Sequence, residues 1–307
     1  MTKDKDYGSN IAVSLRAFPL LLWSRRDVLF MLSWCSTIAI MVAGRGFPPL
    51  IPSAMAITST LLVGASVYIY NDLVDAEMDS ISTNHKTRPM ASGRVPKSAA
   101  WLTIITSAVV GLLLALWVNL QTFIVSFAWF LLFTIYSYPR IRLKNMFIVK
   151  ELVVSSAWIL CSLIGSIAVT SGVSIPAIFA GLLFGTFIFL VQPALVDTFD
   201  AYEDGLYGVK TLSRALSWRR RVQMLGMAVL VMMTVAPITY ARLGFSVLFP
   251  ITVVAFSLIL LRWGIMPLTS GFELQAVLRS RKLMYVYFFV TQIILVVSSM
   301  KLLNGLI

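Results

Sequence analysis

The chain has 307 residues, of which 59% are hydrophobic and only 12% are charged, and its mean hydropathy is +0.88. Soluble domains carry about 25% charged residues, so this composition excludes a soluble globular protein. The formal net charge is +12, but no basic–aromatic pattern typical of nucleic-acid binding accompanies it. The two cysteines, Cys35 and Cys161, lie in apolar runs and predict neither a disulfide nor a metal site.

Nine apolar runs follow one another along the chain, each close to the roughly 20 residues with which an α-helix crosses about 30 Å of hydrocarbon. They cover approximately residues 28–44, 51–70, 99–118, 121–138, 149–170, 174–196, 223–241, 246–264 and 284–302. None shows the alternation of a membrane β-strand. The prediction is an all-α polytopic membrane protein with nine transmembrane helices. It forms one domain over residues 1–307, with a polar tail at 1–14 and a helical core at 15–305.

Basic residues are distributed unevenly between the connections of these helices. If the N-terminus is cytoplasmic, only Arg45, Arg242 and Lys301 among the 25 Lys and Arg lie on the far side. Because Lys and Arg accumulate in cytoplasmic loops, this distribution predicts a cytoplasmic N-terminus in the cell membrane. All 13 Asp and Glu lie on the cytoplasmic side as well, which the rule for basic residues does not require. The acidic residues therefore indicate a function on that face.

The two long cytoplasmic connections begin with the same acidic pattern, "DLVDAEMD" after the second span and "DTFDAYED" after the sixth. The aspartates, at matching spacings, are Asp72, Asp75 and Asp79 in the first motif and Asp197, Asp200 and Asp204 in the second. Residues at i, i+3 and i+7 share one helical face. Each motif is therefore predicted to form a column of three carboxylates on the last turns of its helix, and the arrangement repeats after four helices.

Stacked carboxylates at the C-terminal end of a helix repel each other and oppose the helix dipole, so the doubled pattern requires compensating positive charge. Oxygen ligands without a His or Cys cluster favour Mg²⁺, with Mn²⁺ as the second possibility. Mg²⁺ usually combines one or two carboxylates with substrate phosphates. The two columns therefore predict a diphosphate clamp. For both to serve one diphosphate, the second and sixth helices must face each other across a central cavity.

Basic and aromatic residues near the two motifs complete the predicted site. Candidate contacts to the phosphate oxygens are Arg88, Arg94, Arg142, Lys144 and Lys210. Candidate rings for stabilising a developing allylic cation, and for lining a prenyl pocket, are Tyr68, Tyr136 and Tyr138. Each of these side chains has an alternative interpretation, because basic residues also set membrane topology and aromatic residues form interfacial belts.

Several segments resemble motifs of the UbiA-type intramembrane prenyltransferases. "NDLVDAEMD" is similar to their first motif, Asn-Asp-x-x-Asp-x-x-x-Asp, and "DTFDAYEDGLYGVKTL" to their second motif with its trailing Gly-x-Lys-Thr-Leu. "RPMASGR" and "YSYPRIRLK" resemble the segments after the first motif and at the end of the fourth helix. One departure is the start of the fifth helix, where many members have Gly-Asn and this chain has "VKELVV", with Lys150 and Glu151.

The resemblance implies Mg²⁺-dependent ionisation of an isoprenyl diphosphate and capture of the resulting cation by an acceptor in a lipid-accessible cavity. It implies that Asn71, Asp72, Asp75 and Asp79 bind one metal ion together with the diphosphate, and that the second-motif aspartates bind another. Arg88, Lys144 and Lys210 would hold phosphate oxygens. The catalytic set is Asp72, Asp75, Asp197, Asp200 and Lys144.

The leading interpretation is prenyl transfer from a prenyl diphosphate to a lipophilic acceptor, either an aromatic quinone precursor or a glyceryl lipid phosphate. A terpene cyclase of the same superfamily, in which the substrate's own double bonds capture the cation, is the alternative. An ion-coupled transporter is a more distant one. Transporters place charges near the membrane midplane on broken helices, whereas here the acidic residues lie at the cytoplasmic edge.

Overall fold

The computed structural model describes residues 16–170, 172–198 and 212–300. Asp200, Asp204 and Lys210, all predicted site residues, lie outside this part of the chain. Within the described residues the chain is helical and contains no strand, and nine helical segments are long and apolar enough to span a membrane. The prediction of an all-α membrane protein with nine spans is confirmed.

The spanning helices follow the predicted order, although several ends differ. They are α1 (Arg26–Ala43), α2 (Leu50–Ile81), α3 (Lys97–Val118), α4 (Leu120–Ser137), α5 (Val149–Thr170), α6 (Ile175–Val191), α7 (Trp218–Thr239), α8 (Leu248–Leu260) and α9 (Leu274–Ser299). Helix α6 continues as a wider π turn at Gln192–Val196. Helix α8 continues through a π turn at Leu261–Ile265 and a 3₁₀ segment at Met266–Ser270.

The chain packs as two compact units. Among the described residues, unit 1 contains 16–36 and 54–144. Unit 2 contains 37–53, 145–170, 172–198 and 212–300. The first motif belongs to unit 1, whereas Asp197 and the start of α5 belong to unit 2. The assignment of one domain to residues 1–307 stays a prediction.

In unit 1, close packing fixes the chain before α1 against α2. A Cβ atom at Gly64 of α2 would lie 2.6 Å from Leu32 Cδ1 of α1, so the absence of a side chain permits the approach. Residues 16–24 are also helical, and Ala17 and Leu21 join the same buried cluster as Ile69 of α2. Arg25, at the junction with α1, is thereby held beside the last turns of α2.

In unit 2, small residues bring α5 and α6 together in the same way. A Cβ atom at Gly181 of α6 would lie 2.5 Å from Ser162 Oγ of α5, and one at Gly185 would lie 3.1 Å from the Ser155 carbonyl oxygen. Residues 171–174 connect the two helices, so the first turn of α5 and the end of α6 lie at the same end of an antiparallel pair. This geometry brings Lys150 to Asp197.

Candidate active site

The first acidic motif forms the last turns of α2. The α-helix continues without interruption to Ile81, so Asp72, Asp75 and Asp79 share one face as predicted. Asp72 is only 1% exposed, and Asp79 is also buried. Buried carboxylates are costly unless they are paired and hydrogen-bonded, and the chain supplies cations for each of them.

Two arginines form ion pairs with Asp72 and Asp79, the buried aspartates of this motif. Arg25 binds Asp72 with both arms of its guanidinium group, donating from Nε to Oδ2 at 2.8 Å and from Nη2 to Oδ1. Arg88 bridges two aspartates, with Nη1 2.7 Å from Asp79 Oδ2 and 3.4 Å from Asp72 Oδ1. Burial, together with the nearby Arg88 charge, lowers the pKa of Arg25 from 12.5 to about 10. Arg25 therefore remains a cation at neutral pH.

Two basic residues in the connection that follows α4 form ion pairs with Asp75. Arg142 donates from Nη2 to Asp75 Oδ1 at 3.0 Å, and Lys144 donates to the other carboxylate oxygen. Lys144 Nζ also lies 2.9 Å from Asn71 Oδ1, which accepts a second bond of 2.8 Å from Ser137 Oγ. Burial lowers the pKa of the Lys144 ammonium group from 10.5, and the Asp75 carboxylate opposes that shift. Lys144 thus links two predicted metal ligands.

The second motif starts differently from the first. Helix α6 does not reach Asp197 as a regular α-helix, because it widens at Gln192–Val196, and Asp197 lies in the turn that follows. Pro193 explains the widening, since proline has no N–H for the α-helical hydrogen bond. Asp197 Oδ2 accepts a bond of 2.9 Å from Lys150 Nζ. The predicted column therefore begins from a turn rather than from a straight helix.

Glu151, the residue after Lys150, is buried in the first turn of α5. Its Oε1 accepts the backbone N–H of Leu212 at 3.1 Å, so α5 anchors the chain that resumes after the second motif. Its Oε2 has no hydrogen-bond partner among the described residues. The segment "VKE", a departure from the family pattern, thus contacts both sides of the second motif.

Arg94 is the remaining predicted phosphate contact among the described residues. Arg94 is exposed and donates within its own loop, to Ser92 Oγ at 2.9 Å and to the Thr87 carbonyl oxygen. Its role as a phosphate contact stays a prediction.

The aromatic candidates are partly brought together. The rings of Tyr68 and Tyr136 both pack near Phe133, with centroids 6.4 Å and 6.0 Å from it. The Arg25 guanidinium group lies 6.0 Å from the centroid of the Tyr68 ring. Tyr138 is 38% exposed at the C-terminal end of α4. Tyr68 and Tyr136 therefore share one aromatic cluster in unit 1, and Tyr138 is not part of it.

Sequence reasoning missed three contributors: Arg25, Ser137 and the pairing of Lys150 with Asp197. Arg25 and Lys150 each contact a partner 47 residues away, which no local pattern shows. Ser137 stands inside the quoted segment "YSYPRIRLK". The signal for Arg25 and Lys150 was the four-helix repeat itself, which places both at the start of the helix preceding an acidic motif.

The oxygen donors at the end of α2 are of the kind that Mg²⁺ prefers. Within the described ranges, no group of three Asp, Glu, His or Cys side chains is arranged to hold a metal ion by itself. Asn71 and the three aspartates nevertheless provide only oxygen donors within the last turns of one helix, as Mg²⁺ prefers, and Mg²⁺ takes its further ligands from phosphate and water. The adjacent Arg and Lys side chains are groups that bind phosphate.

The sequence model of the UbiA prenyltransferase family matches residues 32–298 of this chain. The chain belongs to the UbiA family. The resemblance seen in the motifs is thereby confirmed, and the protein is an integral membrane protein of this family.

Relatives and solved structures of the UbiA family agree with this assignment. The digeranylgeranylglyceryl phosphate synthase of Sulfurisphaera tokodaii is 26% identical over 249 residues, covering 81% of this chain and 85% of the relative. A 4-hydroxybenzoate octaprenyltransferase of Pseudoalteromonas atlantica is 27% identical over 203 residues, covering 64% and 69%. The structure of a UbiA homologue from Archaeoglobus fulgidus bound to DMAPP and Mg²⁺ has a TM-score of 0.70 at 15% identity, covering 92% of this chain and 97% of the homologue. The fold is shared with that structure.

Proposed function

We propose that this chain transfers an isoprenyl group from a prenyl diphosphate to a lipophilic acceptor in the membrane, with Mg²⁺ as the metal and Mn²⁺ as a substitute. The observation that carries the proposal is the alternation of carboxylates and cations at the end of α2. Arg25, Arg88, Arg142 and Lys144 all contact aspartates of the first motif. A metal diphosphate requires both kinds of group, because carboxylates bind the metal and cations bind the phosphate.

Each side chain has a definite role in this proposal. Mg²⁺, when bound, would stabilise the diphosphate as a leaving group. In unit 1, metal would be held by Asn71, Asp72, Asp75 and Asp79. In unit 2, metal would be held by Asp197, Asp200 and Asp204.

The cations would exchange carboxylate partners for phosphate oxygens. Arg88 and Arg142 present guanidinium forks that suit two oxygens at once, and Lys144 presents a compact charge. Lys210 would add a contact from unit 2. As the C–O bond to the prenyl group breaks, its electron pair passes to the diphosphate, and these bonds strengthen with the developing charge.

The cation left on the prenyl group needs a protected environment until the acceptor attacks. The ring faces of Tyr68 and Tyr136 would stabilise its positive charge. The acceptor's nucleophilic atom then forms the new bond to the prenyl carbon and loses a proton. The proposed acceptors are an aromatic acid or a glyceryl lipid phosphate, the two classes in the names of the relatives. The excess of Lys and Arg on one side supports a site that faces the cytoplasm.

The direct test is product analysis with the purified full chain. Geranylgeranyl diphosphate and Mg²⁺ are incubated with 4-hydroxybenzoate, with a glyceryl lipid phosphate bearing one geranylgeranyl chain, or with no acceptor. We expect diphosphate release with at least one acceptor, and a product heavier by one prenyl group in mass spectrometry. A product formed without acceptor would indicate a cyclase instead. No diphosphate release from a panel of prenyl diphosphates of different lengths, under any condition, would contradict the proposal.

Replacing Lys144 with alanine should lower kcat/KM roughly ten- to 150-fold, because a charge-assisted hydrogen bond is worth about 1.5–3 kcal/mol. We expect kcat to fall as well as donor affinity, since the contact strengthens in the transition state. Lys97→Ala is the matched control, because Lys97 is an exposed lysine of the same unit. Equal kinetics for both variants at saturating Mg²⁺ would remove Lys144 from the site.

A further inference from the structure

Each unit contains a cation–aspartate pair at an equivalent position of the repeat. In unit 1, Arg25 stands directly before α1 and binds Asp72, the first aspartate of its motif, at the end of α2. In unit 2, Lys150 stands in the first turn of α5 and binds Asp197, the first aspartate of its motif, after α6. The cation precedes its aspartate by 47 residues in both pairs. Lys150 therefore occupies the repeat position of Arg25.

The two pairs also match in geometry and burial. Arg25 Nε lies 2.8 Å from Asp72 Oδ2, and Lys150 Nζ lies 2.9 Å from Asp197 Oδ2. Both carboxylates are nearly inaccessible, with side-chain exposures of 1% and 6%. In each unit a glycine allows the two helices to pack closely, Gly64 of α2 against α1 and Gly181 of α6 against α5. The repetition makes an incidental surface contact a poor explanation for Lys150.

The pair in unit 2 differs from its counterpart in one chemical respect. A guanidinium group engages both oxygens of a carboxylate, as Arg25 does, whereas an ammonium group is a compact charge on a flexible stem. An ammonium group can therefore leave one oxygen and move to another with less rearrangement. Glu151, bonded to the backbone of Leu212, fixes the turn that carries Lys150.

We infer that Lys150 is a diphosphate-binding residue of the second motif. It pairs with Asp197 before the metal binds, releases that carboxylate to a divalent cation, and then donates its hydrogen bond to the diphosphate. This inference rests on the proposed function, because it assumes that Asp197 binds metal. It assigns a purpose to the position at which this chain departs from the Gly-Asn of many family members. It also predicts opposite effects on two binding steps, which a purely structural lysine would not produce.

The first measurement is binding of Mn²⁺ alone to the detergent-solubilised full chain, followed by electron paramagnetic resonance. Lys150→Gln removes a competitor for Asp197, so one class of Mn²⁺ sites should bind roughly tenfold or more tightly, the scale of one charge-assisted hydrogen bond. Lys150→Arg keeps a cation at the position, as Arg25 does in unit 1, and should bind Mn²⁺ no more tightly than the unmodified chain. Lys282→Gln, at an exposed lysine of unit 2, is the control.

The second measurement is binding of inorganic pyrophosphate at saturating Mn²⁺. Lys150→Gln should weaken it by roughly tenfold, since one charge-assisted contact is lost, and Lys150→Arg should restore it. If Lys150 only stabilised the fold, Lys150→Gln would weaken both ligands and lower the Tm, and that result would overturn the inference. Lys150→Met, which keeps the aliphatic stem, provides the same comparison if the Gln variant does not fold.

Failure of the inference and failure of the proposed function give different results. Unchanged Mn²⁺ affinity in Lys150→Gln, with an unmodified chain that binds Mn²⁺ and releases diphosphate from a prenyl donor, would overturn the inference and leave the function intact. An unmodified chain that binds no Mn²⁺ and releases no diphosphate would overturn both.

Discussion

Asp72→Ala should reduce kcat/KM by at least about 10²–10³-fold, the scale seen when one charge-stabilising group is removed from an active site. Asp72 is the most deeply buried carboxylate of the first motif, and it balances Arg25 together with Arg88. Its removal deletes a proposed metal ligand, leaves Arg25 without its carboxylate partner and leaves Arg88 paired with Asp79 alone. Prenyl transfer measured at saturating donor, acceptor and Mg²⁺ tests this expectation.

Two further variants separate catalysis from folding. Breaking a buried ion pair costs about 3–5 kcal/mol of stability, so Asp72→Ala can lose activity by unfolding. Asp72→Asn keeps the shape of the side chain and one acceptor oxygen for Arg25, so it should lose less stability than Asp72→Ala, as judged by its Tm, while losing activity to a similar extent. Glu77→Ala changes an exposed carboxylate of the same helix and should leave activity unchanged. Full activity in Asp72→Asn would make the first motif structural.

Chelation of divalent cations with EDTA should abolish prenyl transfer completely. The proposed ligands are all oxygens, and Arg and Lys by themselves cannot replace the charge that a divalent ion contributes to the leaving diphosphate. Adding excess Mg²⁺ should restore the rate, and Mn²⁺ should restore part or all of it.

The chelation experiment needs a control for protein integrity. Circular dichroism with and without EDTA should show the same helical content, because the aspartates of the first motif and Asp197 are paired with the chain's own cations. Turnover that persists in EDTA with an unchanged spectrum would show that the metal is dispensable. Loss of helical signal would instead indicate that the metal stabilises the fold.

The first motif was predictable from sequence because its geometry is local. The spacings of Asp72, Asp75 and Asp79 define one face of any α-helix that continues through them, and α2 does so. The partner of Asp72 was not predictable in this way. Arg25 lies 47 residues away, and a basic residue at a membrane interface has the same sequence signature whether it sets topology or binds a carboxylate.

Helix ends were the other feature that sequence described poorly. The ninth span was predicted from residue 284, but α9 begins at Leu274. Arg279, Arg281 and Lys282 lower the hydropathy of this stretch, yet Arg and Lys are good helix formers, so the helix extends beyond the apolar run. At the end of α6, Pro193 widens a helix that the acidic spacing alone predicts to be regular.

The length of α2 has a consequence for how the products of the reaction separate. Its 32 residues extend about 48 Å at 1.5 Å per residue, against about 30 Å of hydrocarbon. Asp72 lies about 33 Å from the start of the helix, slightly more than the thickness of the hydrocarbon layer. If the diphosphate binds at Asp72 as proposed, the prenyl chain lies in the lipid and the diphosphate lies at the edge of the apolar layer. Transfer therefore sends its two products into different phases, one retained by the bilayer and one diluted into solvent, and this partitioning opposes the reverse reaction.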